Sequence, residues 1–261
     1  MKRFSRLLAG FCFAGAFIAP LGAQQAALHV VATNSWTAAF AAAAGATDIV
    51  TLAPNDLRHP AEYELRPSDV TRLQGADLIV YTGFEVMARK LADAAGGQKI
   101  RLVQIGADYS LATLRSSILA IAAITGTMDK ARASVARLED FMGSWKTELR
   151  AAGLAGAPIV VHAFQQPLMA ELGFNVLAVF GPEPLEAAQI AKVSPLKAQL
   201  IIDNWHNEVA SPLRETMKDA RFASLINFPG PDGTASLLDV LADDRRLLAA
   251  GAAGVPVAPK N

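Results

Sequence analysis

Cysteine is nearly absent from this sequence, since its 261 residues include a single one, Cys12. A chain with one cysteine has no disulfide framework and no thiolate cluster for structural zinc or redox chemistry. Charge is sparse as well: 18% of the residues are charged against 52% hydrophobic, and the 24 basic residues balance the 24 acidic ones. A neutral chain has no electrostatic reason to bind nucleic acid, so we expect no nucleic-acid partner.

The sequence motifs of common enzymes are missing too. There is no Gly-x-Ser-x-Gly nucleophile elbow, no His-Glu-x-x-His pair and no phosphate-binding loop. We therefore predict that the protein is not an enzyme.

A basic start, formed by Lys2, Arg3 and Arg6, precedes an uncharged run over residues 7–20 and then small residues. The run is shorter than the roughly 20 residues that a membrane-spanning helix needs. It predicts a cleaved signal peptide over residues 1–23 and a periplasmic location, with a retained signal anchor as the alternative. The remaining chain has no cysteine and is mildly acidic, with 21 basic and 24 acidic residues.

Short runs rich in valine and isoleucine recur along the rest of the chain, and each has the length of an average strand. The predicted strands cover residues 28–33, 48–53, 77–83 and 100–106 in the first half, and 158–164, 174–180, 198–205 and 222–228 in the second. Segments with helical spacing or turns separate them. Each set of four therefore predicts an open α/β lobe with a parallel sheet.

The stretch between the two sets, residues 111–152, has a helical pattern with a break at 126–127. Beyond the break, apolar residues recur at steps of three and four from Ala131 to Leu149, which indicates one buried helix face. We predict an N-terminal lobe over 24–110, a helical connector with a long rigid helix over 111–152, and a C-terminal lobe over 153–261. Ligands of such folds bind at the carboxyl ends of the strands, so we expect the ligand in the cleft between the lobes.

Two segments resemble the zinc- and manganese-type solute-binding proteins of bacterial ABC importers. In residues 62–70, Glu-Tyr-Glu-Leu-Arg-Pro-Ser-Asp-Val, a loop leads through a short helix to a strand that closes at Gly83. The second segment runs from His162 to the pair Leu172-Gly173. The resemblance implies two lobes joined by a rigid helix, a divalent metal as cargo, Zn²⁺ first and Mn²⁺ second, and an inner-membrane ABC permease as partner of a monomeric receptor.

The metal ligands that the resemblance implies are only partly present. Its first ligand position holds Ala61, the second falls in residues 107–111, which contain no histidine, and the fourth corresponds to Asn227. The third position is matched by His162. An amide oxygen is a weaker, neutral donor for a divalent ion. The implied site therefore needs donors from elsewhere in the chain.

Three histidines are candidate metal ligands: His162, His59 and His206. Zinc takes about four ligands from imidazole, carboxylate and thiolate groups, so Asp203, Glu208, Asn227 or water would complete the set. Each histidine has an alternative role. His162 can be a hydrogen-bonded structural residue, and His59 a solvated loop residue beside the cationic Arg58. His206 can cap the next helix or bind an organic ligand.

Two functions therefore stay open. The first is a periplasmic receptor that captures a divalent transition metal, zinc above others, in the inter-lobe cleft and delivers it to an ABC permease. The second is a divergent relative with a degenerate metal site, which binds a metal chelate or another small ligand or acts as an accessory partner in metal homeostasis. Ala61 and Asn227 favour the second.

Overall fold

The computed structural model describes residues 27–94, 100–255 and 257–260, and the predicted signal peptide lies outside this part of the chain. The described residues form eight strands and nine α-helices. The strands are β1 (His29–Ala32), β2 (Asp48–Thr51), β3 (Leu78–Tyr81), β4 (Arg101–Gln104), β5 (Pro158–His162), β6 (Asn175–Phe180), β7 (Leu200–Asn204) and β8 (Arg221–Leu225). The helices are α1 (Ser35–Ala43), α2 (Pro67–Leu73), α3 (Ala88–Ala94), α4 (Leu111–Thr125), α5 (Met128–Ala151), α6 (Gln166–Glu171), α7 (Ala187–Val193), α8 (Ser211–Thr216) and α9 (Leu237–Ala252).

The strands form two four-stranded sheets with the same connectivity. The first has the order β2-β1-β3-β4 and the second the order β6-β5-β7-β8, and every pairing between named strands is parallel. The prediction of two open α/β lobes with parallel sheets is confirmed. The domain boundaries at residues 110 and 152 stay predictions.

Central strands are buried on both faces, which explains their unbroken apolar sequences. Val30 and Val31 in β1, and Ile201 and Ile202 in β7, have no exposed surface. The edge strand β4 is largely exposed. Helices cover both faces of a parallel sheet, so its inner strands need apolar side chains at every position.

A long helix connects the lobes through a shared core. Helix α4 ends at Gly126, whose left-handed φ of 73° suits a residue without Cβ. Helix α5 then runs for 24 residues, about 36 Å at the usual rise. Its buried face follows the predicted spacing and includes Met142, whereas Phe141 is only half-buried. One apolar cluster extends along this face and contacts both sheets, which couples the two lobes.

Within the described residues, no helix combines the length and the apolar character that crossing a membrane requires.

Candidate functional site

A cavity of about 430 Å³ lies between the lobes, beyond the carboxyl ends of the strands. Its lining residues are Trp36, Ala61, Phe84, Ala107, Asp108, Ala163, Phe164, Pro167, Asn227 and Phe228. Three positions that the resemblance assigns to metal ligands line it, and they hold Ala61, the pair Ala107-Asp108, and Asn227. The expected ligand positions therefore do converge on one cavity, but most of its wall is apolar.

An aromatic stack joins the lobes beside this cavity. Asn34 caps α1 by accepting a hydrogen bond from the main-chain N–H of Trp36 at 3.0 Å, which fixes the start of the helix. The Trp36 ring stacks on Tyr109, with 5.4 Å between centroids, and meets Phe228 edge-on at 5.1 Å. The Tyr109 hydroxyl donates to the main-chain oxygen of Asn227 at 3.0 Å. These contacts across the lobes form one wall of the cavity.

His162 ends β5 and has no exposed surface. Its Nδ1 accepts a hydrogen bond from the Phe164 N–H at 3.1 Å, so Nε2 carries the proton and donates to Oδ1 of Asn207 at 3.0 Å. Burial lowers its pKa, and the ring is therefore neutral at pH 7. Both ring nitrogens are engaged. Binding of a metal through Nε2 would require the hydrogen bond to Asn207 to break.

His206 lies in the short turn Trp205–Asn207 that follows β7, and it is 3% exposed. Its Nδ1 accepts from the main-chain N–H of Asn227 at 3.4 Å. Burial, reinforced by positive charge at His59 and Arg58, lowers its pKa to about 3. His206 is therefore a neutral imidazole at physiological pH.

His59 is exposed and precedes the turn Pro60–Glu62. It belongs to the N-terminal lobe, yet it is close enough to His206 to affect the pKa of that residue. His59 therefore lies within electrostatic range of His206 across the lobe boundary.

Arg58 occupies the same boundary and carries a positive charge. Its guanidinium donates to the main-chain oxygen of Trp205 at 3.1 Å and to Oε2 of Glu208 at 3.0 Å. It also lies over the Trp205 ring, 4.8 Å from the centroid. This cation joins the lobes, but it opposes a second positive charge beside His59 and His206.

The carboxylates near the site are already committed to main-chain and hydroxyl donors. Asp203 accepts from the N–H groups of Asn204 and Ala210 at 2.9 and 3.0 Å, and burial raises its pKa. Asp108 accepts from Ser110 and from Thr113 at the start of α4. These bonds stabilise loops and a helix end rather than leaving oxygens free for an ion.

No three histidine, aspartate or glutamate side chains come together as a metal-binding group within the part of the chain that the structure describes. The arrangement brings His59 near His206, while His162 is held by Asn207. The site of His162, His59 and His206 therefore stays a prediction, and it needs at least a rotation of the His162 ring.

Sequence reasoning missed the partner of His162 and two aromatic rings at the cavity. Asn207 follows β7, and β7 pairs with β5, so the carboxyl ends of the two strands are neighbours. That pairing was the available signal. Phe84 and Phe164 follow β3 and β5, and they are 54% and 45% exposed. Two exposed aromatic residues that closely follow strands of the two lobes are a second signal for a cleft.

A family model described as "Zinc-uptake complex component A periplasmic" matches residues 30–117 of the chain. The match covers the N-terminal lobe, including Ala61, and the start of α4. It confirms the resemblance that the segment at 62–70 suggested. The family is one of uptake components and not of enzymes, in agreement with the prediction from the missing catalytic motifs.

Solved structures extend the likeness to both lobes. The solute-binding protein FpvC of Pseudomonas aeruginosa, in complex with Ni²⁺, aligns with a TM-score of 0.67 at 17% identity, over 87% of this chain and 96% of that one. The laminin-binding protein Lmb of Streptococcus agalactiae, with adhesin and metal-transporting activity, gives a TM-score of 0.68 at 15% identity, over 86% and 99%. The fold is that of the metal-receptor type of solute-binding protein.

A further structure of this type is the laminin-binding protein Lbp of Streptococcus pyogenes, with a TM-score of 0.65 at 15% identity over 86% of this chain and 98% of its own. Among curated proteins, none matches this chain significantly in sequence. At these identities the structures establish the fold, and the ligand has to be argued from the residues of this chain.

Proposed function

We propose that this chain is the periplasmic receptor of a bacterial ABC importer and that it binds its cargo in the inter-lobe cavity. One observation carries the proposal: loops that follow strands of both sheets, including the positions implied as metal ligands, meet at this cavity. The match of the N-terminal lobe to a periplasmic zinc-uptake component supports it. The predicted signal peptide over 1–23 would deliver the protein to the periplasm, where a permease of the inner membrane receives the cargo.

The first candidate cargo is a divalent transition metal, with Zn²⁺ ahead of Mn²⁺. Its donors would be His162, His206 and His59, two from the C-terminal lobe and one from the N-terminal lobe. The first two are neutral imidazoles, which is the form that binds a metal. Related folds are recorded with Ni²⁺ and Mn²⁺. Metal binding by all three histidines would require the His162 ring to break its hydrogen bond to Asn207 and to bind the ion instead.

Two measurements test this cargo. Elemental analysis of the protein purified from the periplasm without chelator is expected to find about one equivalent of zinc. Calorimetry on metal-free protein is then expected to show that His162→Ala and His206→Ala lose tight zinc binding, because a tetrahedral site cannot spare an imidazole. His29→Ala is the matched control, since His29 begins β1 at the opposite end of the strand from the cleft. Equal zinc affinity in all three variants would contradict the three-histidine site.

The second candidate is a divergent receptor whose cavity takes a metal chelate or another small ligand. It is favoured by the apolar wall of the cavity and by the lack, within the described ranges, of a three-donor group for a bare ion. A role as an accessory partner in metal homeostasis belongs to the same alternative. Thermal-shift measurements with zinc, manganese and iron salts and with their chelates separate the candidates, because a ligand that binds only the native state raises the melting temperature.

The partner and the oligomeric state are part of the proposal. We expect a monomer, which size-exclusion chromatography with light scattering would show as a single species of the processed chain mass. A stable dimer that buries the cleft would contradict a receptor that presents its cargo to a permease.

A further inference from the structure

The inter-lobe cavity has the size and wall of a site for a small organic molecule. Its volume of about 430 Å³ falls within the roughly 300–1,000 Å³ typical of such pockets. Four aromatic rings line it: Trp36, Phe84, Phe164 and Phe228. Phe84 and Phe164 come from opposite lobes and are 54% and 45% exposed. Exposure of large apolar side chains at a cleft is typical of a surface that a ligand covers.

Two enclosed polar atoms of residues in this wall make no hydrogen bond of good geometry within the described residues, although Trp36 lies against Tyr109 and Asn227 against His206. They are Nε1 of Trp36, a donor, and Oδ1 of Asn227, an acceptor. Both residues are only 3% exposed, and both line the cavity. Buried polar atoms are almost always paired, since an unpaired one costs free energy. A ligand that offers one acceptor and one donor would satisfy both atoms once the Trp36 and Asn227 side chains turn toward the cavity.

The charges at the wall argue against an ionic ligand. No lysine, arginine or histidine is among the lining residues, so an anion would find no counter-charge. The one lining carboxylate, Asp108, accepts from the N–H and hydroxyl of Ser110 through Oδ1 and from the Thr113 hydroxyl through Oδ2. With both oxygens bonded, it is a poor partner for a cation. An uncharged ligand suits this wall best.

We propose that the cavity binds an uncharged aromatic or otherwise apolar organic group that carries a carbonyl and an N–H, such as an aromatic amide. Its carbonyl accepts from Trp36 Nε1, its N–H donates to Asn227 Oδ1, and its ring packs between Phe84 and Phe164. The inference rests on the proposed function in one respect only: both use the inter-lobe cavity as the binding site. The group is either a free solute or the organic part of a metal chelate.

Three molecules of nearly equal shape and different charge test the proposal: benzamide, benzoate and benzamidine. Ligand-observed NMR and calorimetry would be performed on the full processed chain after chelator treatment, with 2-naphthamide as a larger neutral probe. We expect the two amides to bind in the millimolar range or better, and benzoate and benzamidine to bind at least about tenfold more weakly. No binding of either amide, or equal binding of the charged probes, would overturn the proposal.

Two variants locate the binding site. Asn227→Leu removes the acceptor at similar side-chain size, and Ala61→Leu fills the cavity from the half-buried position 61. Each is expected to weaken benzamide binding about tenfold or more. Ala42→Leu makes the same chemical change on the exposed side of α1 and is expected to leave binding unchanged. Since Ala61 is at the rim, its variant tests the cavity even if the change at Asn227 affects folding. Unchanged binding in Ala61→Leu would refute the site.

A final arm separates the two sources of the organic group. Benzohydroxamic acid, a metal chelator with the same ring, is titrated with and without half an equivalent of Zn²⁺. It loses one proton on binding zinc, so the chelate of two hydroxamates and one Zn²⁺ is uncharged. Binding that is strengthened at least about tenfold by zinc indicates a chelate, and equal binding indicates a free solute. Both outcomes support the proposal. If benzohydroxamic acid binds neither with zinc nor without it, the proposal is contradicted. Zinc alone, titrated in parallel, tests the metal cargo independently of the organic group.

Discussion

The imidazole of His162 lies directly against Gly181, so closely that a Cβ at position 181 would be 2.5 Å from Nε2. Gly181 also has a left-handed φ of 68°, which residues with a side chain adopt at a cost. The loop after β6 therefore closes over the ring while Asn207 holds its Nε2. Together they fix the orientation of the histidine that matches an expected metal ligand.

Gly181→Ala tests this contact, with Gly173→Ala as the matched control. Gly173 also has a positive φ, 86°, but a Cβ there would meet nothing within 4 Å. Both changes are expected to cost about 1–2 kcal/mol for the backbone conformation. Gly181→Ala is expected to cost a further 1–3 kcal/mol, roughly, because the new methyl group displaces the His162 ring. Urea unfolding measures both losses. Equal losses would show that the loop yields without moving His162.

The sheets and the connecting helix were predictable because burial leaves a periodic pattern in the sequence. Strands β1 and β7 are buried on both faces, so their apolar runs are continuous. Helix α5 buries one face, so its apolar residues recur every three or four positions. Most predicted strands extend one to three residues beyond the observed ends, because apolar residues such as Leu52 and Ala53 continue past the end of β2, and β8 begins one residue before its predicted start.

The candidate site was predicted less well, because it depends on contacts between distant segments. The hydrogen bond from His162 to Asn207 joins residues 45 positions apart, and it arises from the pairing of β5 with β7. Arg58 was noted as a repulsive neighbour of His59, but its bonds to Trp205 and Glu208 follow from how the lobes meet. The position of a residue at a strand end can be predicted from the sequence. The residues that it contacts become known only from the structure.

The lowered pKa of His206 predicts a loss of stability in acid. The native pKa is about 3 against an ordinary value of 6.5, so between these pH values the unfolded chain binds a proton that the native chain does not. Stability contributed by the neutral ring is therefore complete above about pH 6.5 and falls by about 1.4 kcal/mol per pH unit below it. Positive charge at His59 and Arg58 acts in the same direction, and burial of His162 adds to the loss.

Urea unfolding of chelator-treated protein between about pH 6 and pH 4.5 measures this slope. His206→Gln removes one titrating group, and its stability is expected to vary less steeply with pH than that of the wild type, by close to one proton. Parallel curves for wild type and His206→Gln would contradict the prediction.

The buried carboxyl group of Asp244 predicts the opposite pH dependence, a loss of stability as the pH rises. Asp244 has no exposed surface, and its Oδ1 accepts from the main-chain N–H of Ile226 at 2.8 Å. Burial raises its pKa well above 3.8, so the native chain keeps a proton that the unfolded chain loses, and stability falls as the pH rises above about 3.8. Asp244→Asn keeps an acceptor for Ile226 without this penalty.

Asp244→Asn is therefore expected to gain stability relative to the wild type between about pH 4 and pH 8, which unfolding at the two pH values would show. Asp244→Leu removes the acceptor and is expected to cost about 1–3 kcal/mol near pH 4 and less at pH 8, because it too removes the titrating group. Asp219→Asn, on the surface, is the control for a change in net charge. If the difference between Asp244→Asn and the wild type is the same at both pH values, the carboxyl group does not titrate in this range.

Arg58 is expected to weaken the proposed metal site by electrostatic repulsion, and its removal therefore tests the metal cargo. Its guanidinium lies beside His59 and His206 and lowers the pKa of the latter, so it also opposes a bound dication. Arg58→Gln is expected to raise zinc affinity about tenfold, or about 1.4 kcal/mol, in calorimetry at low ionic strength. Arg72→Gln is the matched control, because Arg72 is exposed and donates only within the N-terminal lobe, to Thr51 and Leu52. An equal gain in both variants would indicate a general effect of net charge, and no gain in Arg58→Gln would mean that the ion does not bind beside His59 and His206.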